Sequence, residues 1–167
     1  MLDTIVAADI AAGGVATSEI LDATIATADL ADGAATAVKL STAARRQVVS
    51  VQIGDVALSI GATLERPIFV ASGNGTITAI SFTNASNITG AANLGTLSVE
   101  RKTATAVTVD SLALTTSMTA YTAARDTTPV AGTALAAGDV YSFKYVQGST
   151  GVALDEMLVT IEYTVSE

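Results

Sequence analysis

The sequence contains no cysteine and no histidine, and only 4% of its residues are aromatic. Without cysteine, neither a disulfide nor a thiolate metal site can support the fold. Without histidine as well, the commonest nucleophile–base pairs cannot form, and zinc sites that use histidine are excluded. We therefore expect no enzyme, no metal site and no bound cofactor, and the few large side chains must be used sparingly in the core.

Positive charge and long apolar runs are also scarce. Eight Lys and Arg stand against sixteen Asp and Glu, so the net charge is −8, and such a surface repels nucleic-acid phosphates and anionic lipid. No run approaches the roughly 18 uncharged apolar residues of a membrane span, and the start "MLDTIVAADI" lacks the features of a secretory signal. We expect a protein made in the cytoplasm, with no nucleic acid and no membrane as partner.

The N-terminal part carries a repeat of five residues instead. The large apolar positions of this repeat are Ile5, Ile10, Val15, Ile20, Ile25, Leu30 and Leu40, with Ala35 as the one interruption. Charged residues precede every second position, at Asp9, Glu19, Asp29 and Lys39. A step of five rotates by roughly 140° around a helix, so one continuous helix would scatter these side chains over its circumference. Short helical turns alternating with tight turns are favoured.

A thin segment of this kind has no second layer to cover its apolar stripe. Identical copies wound around a shared axis supply that cover most simply, because every chain has the same stripe. The seven apolar residues are thus predicted to form the axis of an assembly. The alternative is an Ala-rich, partly disordered tail whose period arises by chance.

The composition changes near "STAARRQ", residues 41–47, so we divide the chain into an N-terminal anchor or shaft segment, 1–45, and a β domain, 46–167. Residues 1–44 have a net charge of −5, which suits a basic face on another protein. Alternating apolar and polar residues predict about eight strands in the second part. The predicted strands are 47–53, 56–60, 67–71, 76–83, 94–101, 106–114, 139–146 and 157–165. This pattern, without convincing helices, predicts an antiparallel β-sandwich, most simply a jelly roll.

Several motifs have a functional and a structural interpretation, and the structural one is favoured for each. Asn74-Gly75 is expected in a tight hairpin turn rather than an anion-binding nest, and Asp155-Glu156 in a solvated turn rather than an acid/base pair. Glu100-Arg101-Lys102 is expected at the solvated end of a strand rather than in a binding patch. Arg45-Arg46 is expected in an exposed linker, although it could pair with acids of a neighbouring chain.

Three asparagines and three aromatics also have both a functional and a structural interpretation. Asn74, Asn84 and Asn87 begin glycosylation sequons, but without a signal peptide they are expected in polar turns. The alternating aromatics Tyr141, Phe143 and Tyr145 could stack on a sugar, but core packing is favoured because the chain has so few aromatics.

The repeat, with "ADGA" and "T-x-x-K-L", is similar to the short repeats in fibre and decoration proteins of tailed bacteriophages. The segments "GTALAAGDVYSF" and "GSTGVALDEMLVTIEY" resemble the jelly-roll domains of the same virion proteins. The resemblance implies a homotrimer on the surface of a capsid or tail, with the major capsid protein or another virion structural protein as partner. About four decads suit a short anchor, collar or knob better than an extended shaft.

The leading hypothesis is therefore a viral structural protein that decorates the virion and either stabilises the shell or projects a knob. The first alternative is a carbohydrate-binding or adhesion module of a tail fibre or bacterial surface protein, with a host-surface glycan as partner, since a fold does not determine a function. An enzyme such as a glycan depolymerase would need a carboxylate pair in a long groove, for which the β domain offers few acids.

Overall fold

The computed structural model describes residues 39–103 and 105–166, together with Ala26 and Ala34. The chain divides into two units, Met1–Lys39 and Leu40–Glu167. Within the described residues of the first unit, the ammonium group of Lys39 donates a hydrogen bond to the carbonyl of Ala34 at 3.3 Å. In the described chain, no helix has the length and apolar character needed to cross a bilayer.

The second unit is built from strands that alternate apolar with polar residues over much of their length, as half-buried strands do. The strands are β1 (Arg46–Val56), β2 (Thr63–Val70), β3 (Gly75–Thr83), β4 (Gly95–Lys102), β5 (Val107–Ala113), β6 (Ala124–Asp126), β7 (Ala134–Leu135), β8 (Val140–Gln147) and β9 (Leu154–Val165). In β8, for example, Tyr141, Phe143 and Tyr145 are completely buried while Lys144 is partly exposed. The predicted mainly β, antiparallel character is confirmed.

The strands form two antiparallel sheets. The first has the order β1-β9-β3-β6, with β7 also pairing with β3, and the second has the order β2-β8-β4-β5. The pairings are nested along the chain: β1 pairs with β9, β2 with β8, β3 with β6 and β7, and β4 with β5. In sequence, each strand pair is therefore enclosed by the next one, from β4 and β5 in the middle to β1 and β9 at the ends.

The two sheets pack face to face through a shared apolar core. Phe82 of the first sheet meets Phe143 of the second with ring centroids 6.5 Å apart, and Tyr163 meets Phe69 in the same way at 5.2 Å. Aromatic pairs at these separations are favourable beyond the area that they bury. This inter-sheet contact makes the unit a β-sandwich.

The predicted hairpin at Asn74-Gly75 is wrong. The segment joins β2 to β3, which lie in different sheets, so the chain crosses the sandwich here and does not turn back on itself. Gly75 is required by close approach, because a Cβ atom at this position would lie 2.2 Å from the carbonyl oxygen of Thr164. The composition of the segment is typical of a chain reversal. The strand pairing, however, is determined by which residues pack in the core, and it places β2 and β3 in different sheets.

The predicted break between strands 47–53 and 56–60 is also wrong. β1 runs on through Gly54, whose φ of +80° is the left-handed conformation that glycine adopts readily. The register between β1 and β9 shifts on both sides of Gly54, so this glycine forms a bulge. Only Val56 of the predicted second strand is in a strand, and residues 57–62 connect β1 to β2.

Three more details of the prediction need correction. The short strands β6 and β7 were missed, since two or three residues give no alternation to detect. Asp155 and Glu156 lie inside β9 and not in a turn. Arg46 is the first residue of β1 rather than part of a linker. Arg45 exchanges hydrogen bonds with Val165, so the chain is bonded to the β unit from this residue onward.

Candidate functional site

The predicted assembly axis falls almost entirely outside the described residues. Leu40 is described and its side chain is 41% exposed in the single chain. The six others, Ile5, Ile10, Val15, Ile20, Ile25 and Leu30, lie in the part of the chain that the structure does not describe. Their role at a shared axis stays a prediction.

The three aromatics of β8 are part of the core, as predicted, and cannot stack on a ligand. Tyr141, Phe143 and Tyr145 are all 0% exposed. The Tyr145 hydroxyl donates a hydrogen bond to the carbonyl of Val152 at 2.7 Å, and burial raises the pKa of this phenol. Buried tyrosines of this kind satisfy their hydroxyl within the fold.

The second sheet carries a charged cluster on its outer face. The carboxylate of Glu100 lies 2.8 Å from the Lys144 ammonium and 3.0 Å from the Lys102 ammonium, and Lys102 also lies 2.7 Å from Glu65. Glu100 is only 6% exposed. Burial alone would raise its pKa, but the two lysine hydrogen bonds outweigh it and hold the pKa below its ordinary value. The prediction of a solvated strand end is therefore wrong for Glu100.

The first sheet has a comparable arrangement around Glu162. The Arg125 guanidinium binds both carboxylate oxygens of Glu162, at 2.7 and 2.9 Å, and Arg46 lies 3.8 Å away. Hydrogen bonds from Arg125 lower the pKa of Glu162. A bidentate pair of this type fixes orientation as well as charge, so Arg46 and Arg125 have their partners within the chain.

A small cavity opens where the edges of the two sheets meet. It has a volume of about 240 Å³ and contains the buried carboxyl group of Asp110 and the side chains of Arg125 and Asp126. Asp110 accepts a hydrogen bond from the Ser111 amide at 2.7 Å, while Asp126 accepts two from Thr128. Burial, with a contribution from Asp126, raises the pKa of Asp110. We call this cavity the rim pocket.

A second cavity of about 260 Å³ lies on the outer face of the first sheet. Its floor is a row across three neighbouring strands, because Leu158 of β9 pairs with Gln52 of β1 and with Thr83 of β3. Ala85, Tyr121 and Glu156 complete the lining. We call this cavity the Tyr121 pocket.

Two of the lining residues have unusual backbone conformations. Tyr121 has φ +55° and Glu156 has φ +45°; among the described non-glycine residues, Asn93 alone shares a positive φ with them. Asparagine adopts this region readily, whereas a bulky tyrosine there is a true outlier. Residues held in such conformations are concentrated at functional sites.

Asn84 connects the two segments that carry the strained residues. It is 0% exposed, its backbone carbonyl accepts a hydrogen bond from the Tyr121 amide at 2.9 Å, and its side-chain oxygen accepts one from the amide of Asp155, the neighbour of Glu156, at 2.8 Å. Its side-chain nitrogen donates to the Ser86 carbonyl. The prediction of a polar turn missed this role, and a buried amide whose nitrogen and oxygen are both hydrogen-bonded is not available for glycosylation.

The sequence offered little signal for the Tyr121 pocket. Gln52, Thr83 and Leu158 are each separated from the next by more than 30 residues of sequence. Only the register of the sheet brings them into one row. Tyr121 stands between "TA" and "TAA" in a segment without a strand pattern. An isolated aromatic in a polar, Thr-rich loop was the one available indication.

In the described residues, no group of three or more acidic side chains is arranged to hold a metal ion. Comparisons of the chain with protein-family models, with curated proteins and with solved structures find no match. The repeat, the fold and the geometry of these pockets are therefore the features that bear on function.

Proposed function

We propose that this chain is a homotrimeric structural protein of a virus particle surface, a capsid decoration or head fibre protein. The observation that carries the proposal is the repeat itself, in which seven of eight fifth positions between Ile5 and Leu40 are Ile, Leu or Val. Such a stripe needs cover, and copies of the same segment supply it by symmetry. The resemblance to the repeats of phage fibre and decoration proteins supports three copies.

The nested strand pairing supports a jelly roll as the finer description of the β unit. When β6 and β7 are counted as one interrupted strand, the pairs β1–β9, β2–β8, β3–β6/β7 and β4–β5 are those of one long hairpin folded over on itself. Wrapping that hairpin produces two four-stranded sheets, which is the jelly-roll arrangement. Jelly rolls occur among viral capsid and decoration domains, which agrees with the proposal.

The N-terminal segment is proposed to dock on the particle. It holds six acids and one base within residues 1–44, so a basic face on the major capsid protein or another virion protein would attract it. The β unit would then project outward. Its strands begin at Arg46, so the repeat precedes them in the chain and is proposed as the anchor.

The trimer is tested by changing the stripe. Ile20→Asp would place three carboxylates around one apolar axis, where desolvation and mutual repulsion both oppose assembly. Ala37→Ser lies off the stripe and is the matched control. Sedimentation should give a trimer for the parent chain and for Ala37→Ser, and a monomer for Ile20→Asp; a monomer near 16.7 kDa for the parent at micromolar concentration would contradict the proposal.

Docking is tested with particles. A variant that lacks residues 1–44 should keep the circular dichroism of the β unit and lose binding to particles that are observed by electron microscopy. Normal binding by the shortened protein would place the anchor in the β unit instead.

A further inference from the structure

The polar side chains of the Tyr121 pocket are not bonded to any residue that the structure describes. Gln52, Thr83, Tyr121 and Glu156 line the cavity, and in the described part of the chain none of their side-chain polar groups makes a hydrogen bond or an ion pair. The rim pocket is different, because Asp110, Arg125 and Asp126 are all bonded to protein groups. Gln52, Tyr121 and Glu156 are exposed, and donors and acceptors that converge on one cavity and are not used by the protein can bond a ligand there.

Tyr121 gives the pocket an aromatic wall. The residue is 77% exposed, the highest value among the described large hydrophobic residues, so its ring has no packing role comparable with that of the core tyrosines. Its left-handed backbone carries a steric cost that glycine or asparagine would avoid. A ring packing against its exposed face would give this strained tyrosine a role outside the fold.

The loop that carries Tyr121 is nevertheless well anchored. Besides the bond to Asn84, the Ala120 amide donates to the Asn87 side chain at 2.8 Å, and Ile88 and Met118 exchange two backbone hydrogen bonds at 2.9 Å. Ile88 and Met118 are both buried. The aromatic wall is thus preorganised, which reduces the ordering cost of binding.

Charge and size restrict the ligand. Glu156 is the one charged residue in the lining, and no Lys or Arg is present to receive an anion. The carboxylate and the Gln52 amide can bond hydroxyl groups, while Leu158, Ala85 and the tyrosine ring offer apolar surface. A volume of about 260 Å³ is below the roughly 300–1,000 Å³ of pockets for drug-sized ligands, so one small ring fits.

From these observations we propose that the Tyr121 pocket binds a single ring of a neutral carbohydrate, with the sugar face against Tyr121 and its hydroxyl groups bonded to Glu156, Gln52 and Thr83. Asn84 is a positioning residue that aligns Tyr121 with the part of β9 that carries Glu156. This activity goes beyond the structural role, and it would stand if the chain proved not to be a trimer.

The test is a titration of the full chain, followed by amide chemical shifts in NMR. The added compounds are the methyl glycosides of glucose, galactose, mannose and N-acetylglucosamine, each raised to tens of millimolar. The methyl glycoside of N-acetylneuraminic acid serves as the anionic comparison. At least one neutral glycoside should shift the amides of Tyr121, Glu156 and Thr83 in a saturable way, and the anionic one should not.

Variants separate the pocket from the rest of the surface. Tyr121→Ala and Glu156→Gln should each weaken binding by roughly tenfold, because they remove the aromatic face and the charged acceptor. Tyr121→Phe should bind within about threefold of the parent, since the ring is kept. Val130→Ala, at an exposed apolar residue in another loop, is the matched control and should bind normally.

Four results would overturn the proposal. These are an absence of saturable shifts with every neutral glycoside, shifts that persist unchanged in Tyr121→Ala, tighter binding of the anionic glycoside, and a self-association that is lost in Tyr121→Ala without any glycoside effect. The last would identify the pocket as a contact between copies. Circular dichroism of each variant, and sedimentation alongside, keep these outcomes distinct from a failure of the trimer proposal.

Discussion

Two nearly buried carboxyl groups lie on neighbouring strands of the second sheet, and their surroundings are opposite. Glu100 of β4 is 6% exposed and accepts hydrogen bonds from Lys144 and Lys102. Asp110 of β5 is 3% exposed, accepts one bond from a backbone amide, and has another carboxylate, Asp126, close by. Burial disfavours both charges, but only Glu100 has cations that outweigh it.

The difference predicts opposite responses to acid. The pKa of Glu100 is lowered in the folded state, so its contribution to stability is present above its ordinary value of 4.5 and is lost as the pH falls through the folded value. The pKa of Asp110 is raised, so its contribution is present below its ordinary value of 3.8 and is lost as the pH rises through the folded value. At neutral pH, Glu100 therefore stabilises the fold and Asp110 destabilises it.

The largest effect should come from removing a lysine of Glu100. Lys144→Met keeps an unbranched side chain on the outer face but leaves Glu100 with Lys102 alone, and we expect a loss of about 1–3 kcal/mol in the free energy of unfolding at pH 7. Urea unfolding monitored by circular dichroism measures it. The loss should shrink as the pH falls through the folded pKa of Glu100, since the carboxyl group is then neutral.

Two variants control this prediction. Lys144→Arg keeps a cation next to Glu100 and should recover most of the stability. Glu65→Gln changes an exposed partner of Lys102 and should have a much smaller effect, because exposed ion pairs contribute little. A cost for Lys144→Met that is the same at low and neutral pH would mean that Lys144 acts through packing and not through Glu100.

A smaller change of opposite sign is expected in the rim pocket. Asp110→Asn keeps the shape and the acceptor for the Ser111 amide while removing a charge that burial and Asp126 disfavour. We expect a gain of about 0.5–2 kcal/mol at pH 7, which disappears as the pH is lowered and the parent carboxyl group becomes protonated. Thermal melts at several pH values measure it. A loss of stability at pH 7 would show that the Asp110 charge is satisfied by an unseen partner.

How far the sequence predicts these regions depends on the range of the contacts. The longer strands follow from local alternation, and the buried face of β8, with Tyr141, Phe143 and Tyr145, is predicted correctly, whereas the break at Gly54 and the short strands β6 and β7 are not. The Glu100 cluster depends on Lys144, 44 residues further along the chain, and the motif "ERK" gave no sign of that pairing. Gly75 is required because the backbone of Thr164 approaches it closely. The local sequence predicts a hairpin turn there and gives no sign of this distant contact.

The candidate site was less predictable than the fold for the same reason. The register of β1, β9 and β3 determines which residues form the floor of the Tyr121 pocket. The backbone hydrogen bond to Asn84 fixes the position of Tyr121. Composition and period carry no information on register between strands so far apart. The five-residue repeat lies at the other extreme, since it is visible in the sequence and its geometry is outside the described residues.

The smallest predicted effect extends the comparison from charge to backbone. Asn93 and Tyr121 both have a left-handed backbone, with φ values of +66° and +55°, but asparagine tolerates that conformation and tyrosine does not. Because Tyr121 is 77% exposed, Tyr121→Gly removes little packing and relieves the strain, and this gain is partly offset by the larger entropy of glycine in the unfolded chain. We expect a gain of about 0.5 kcal/mol in the free energy of unfolding, measured by urea titration, with Asn93→Gly as a control that changes little.

If the tyrosine is retained for binding, this more stable variant should also fail to bind the neutral glycoside that the parent binds. A stability loss of more than about 1 kcal/mol would instead show that the ring supports the loop itself, and the reason for a strained tyrosine would then lie within the fold.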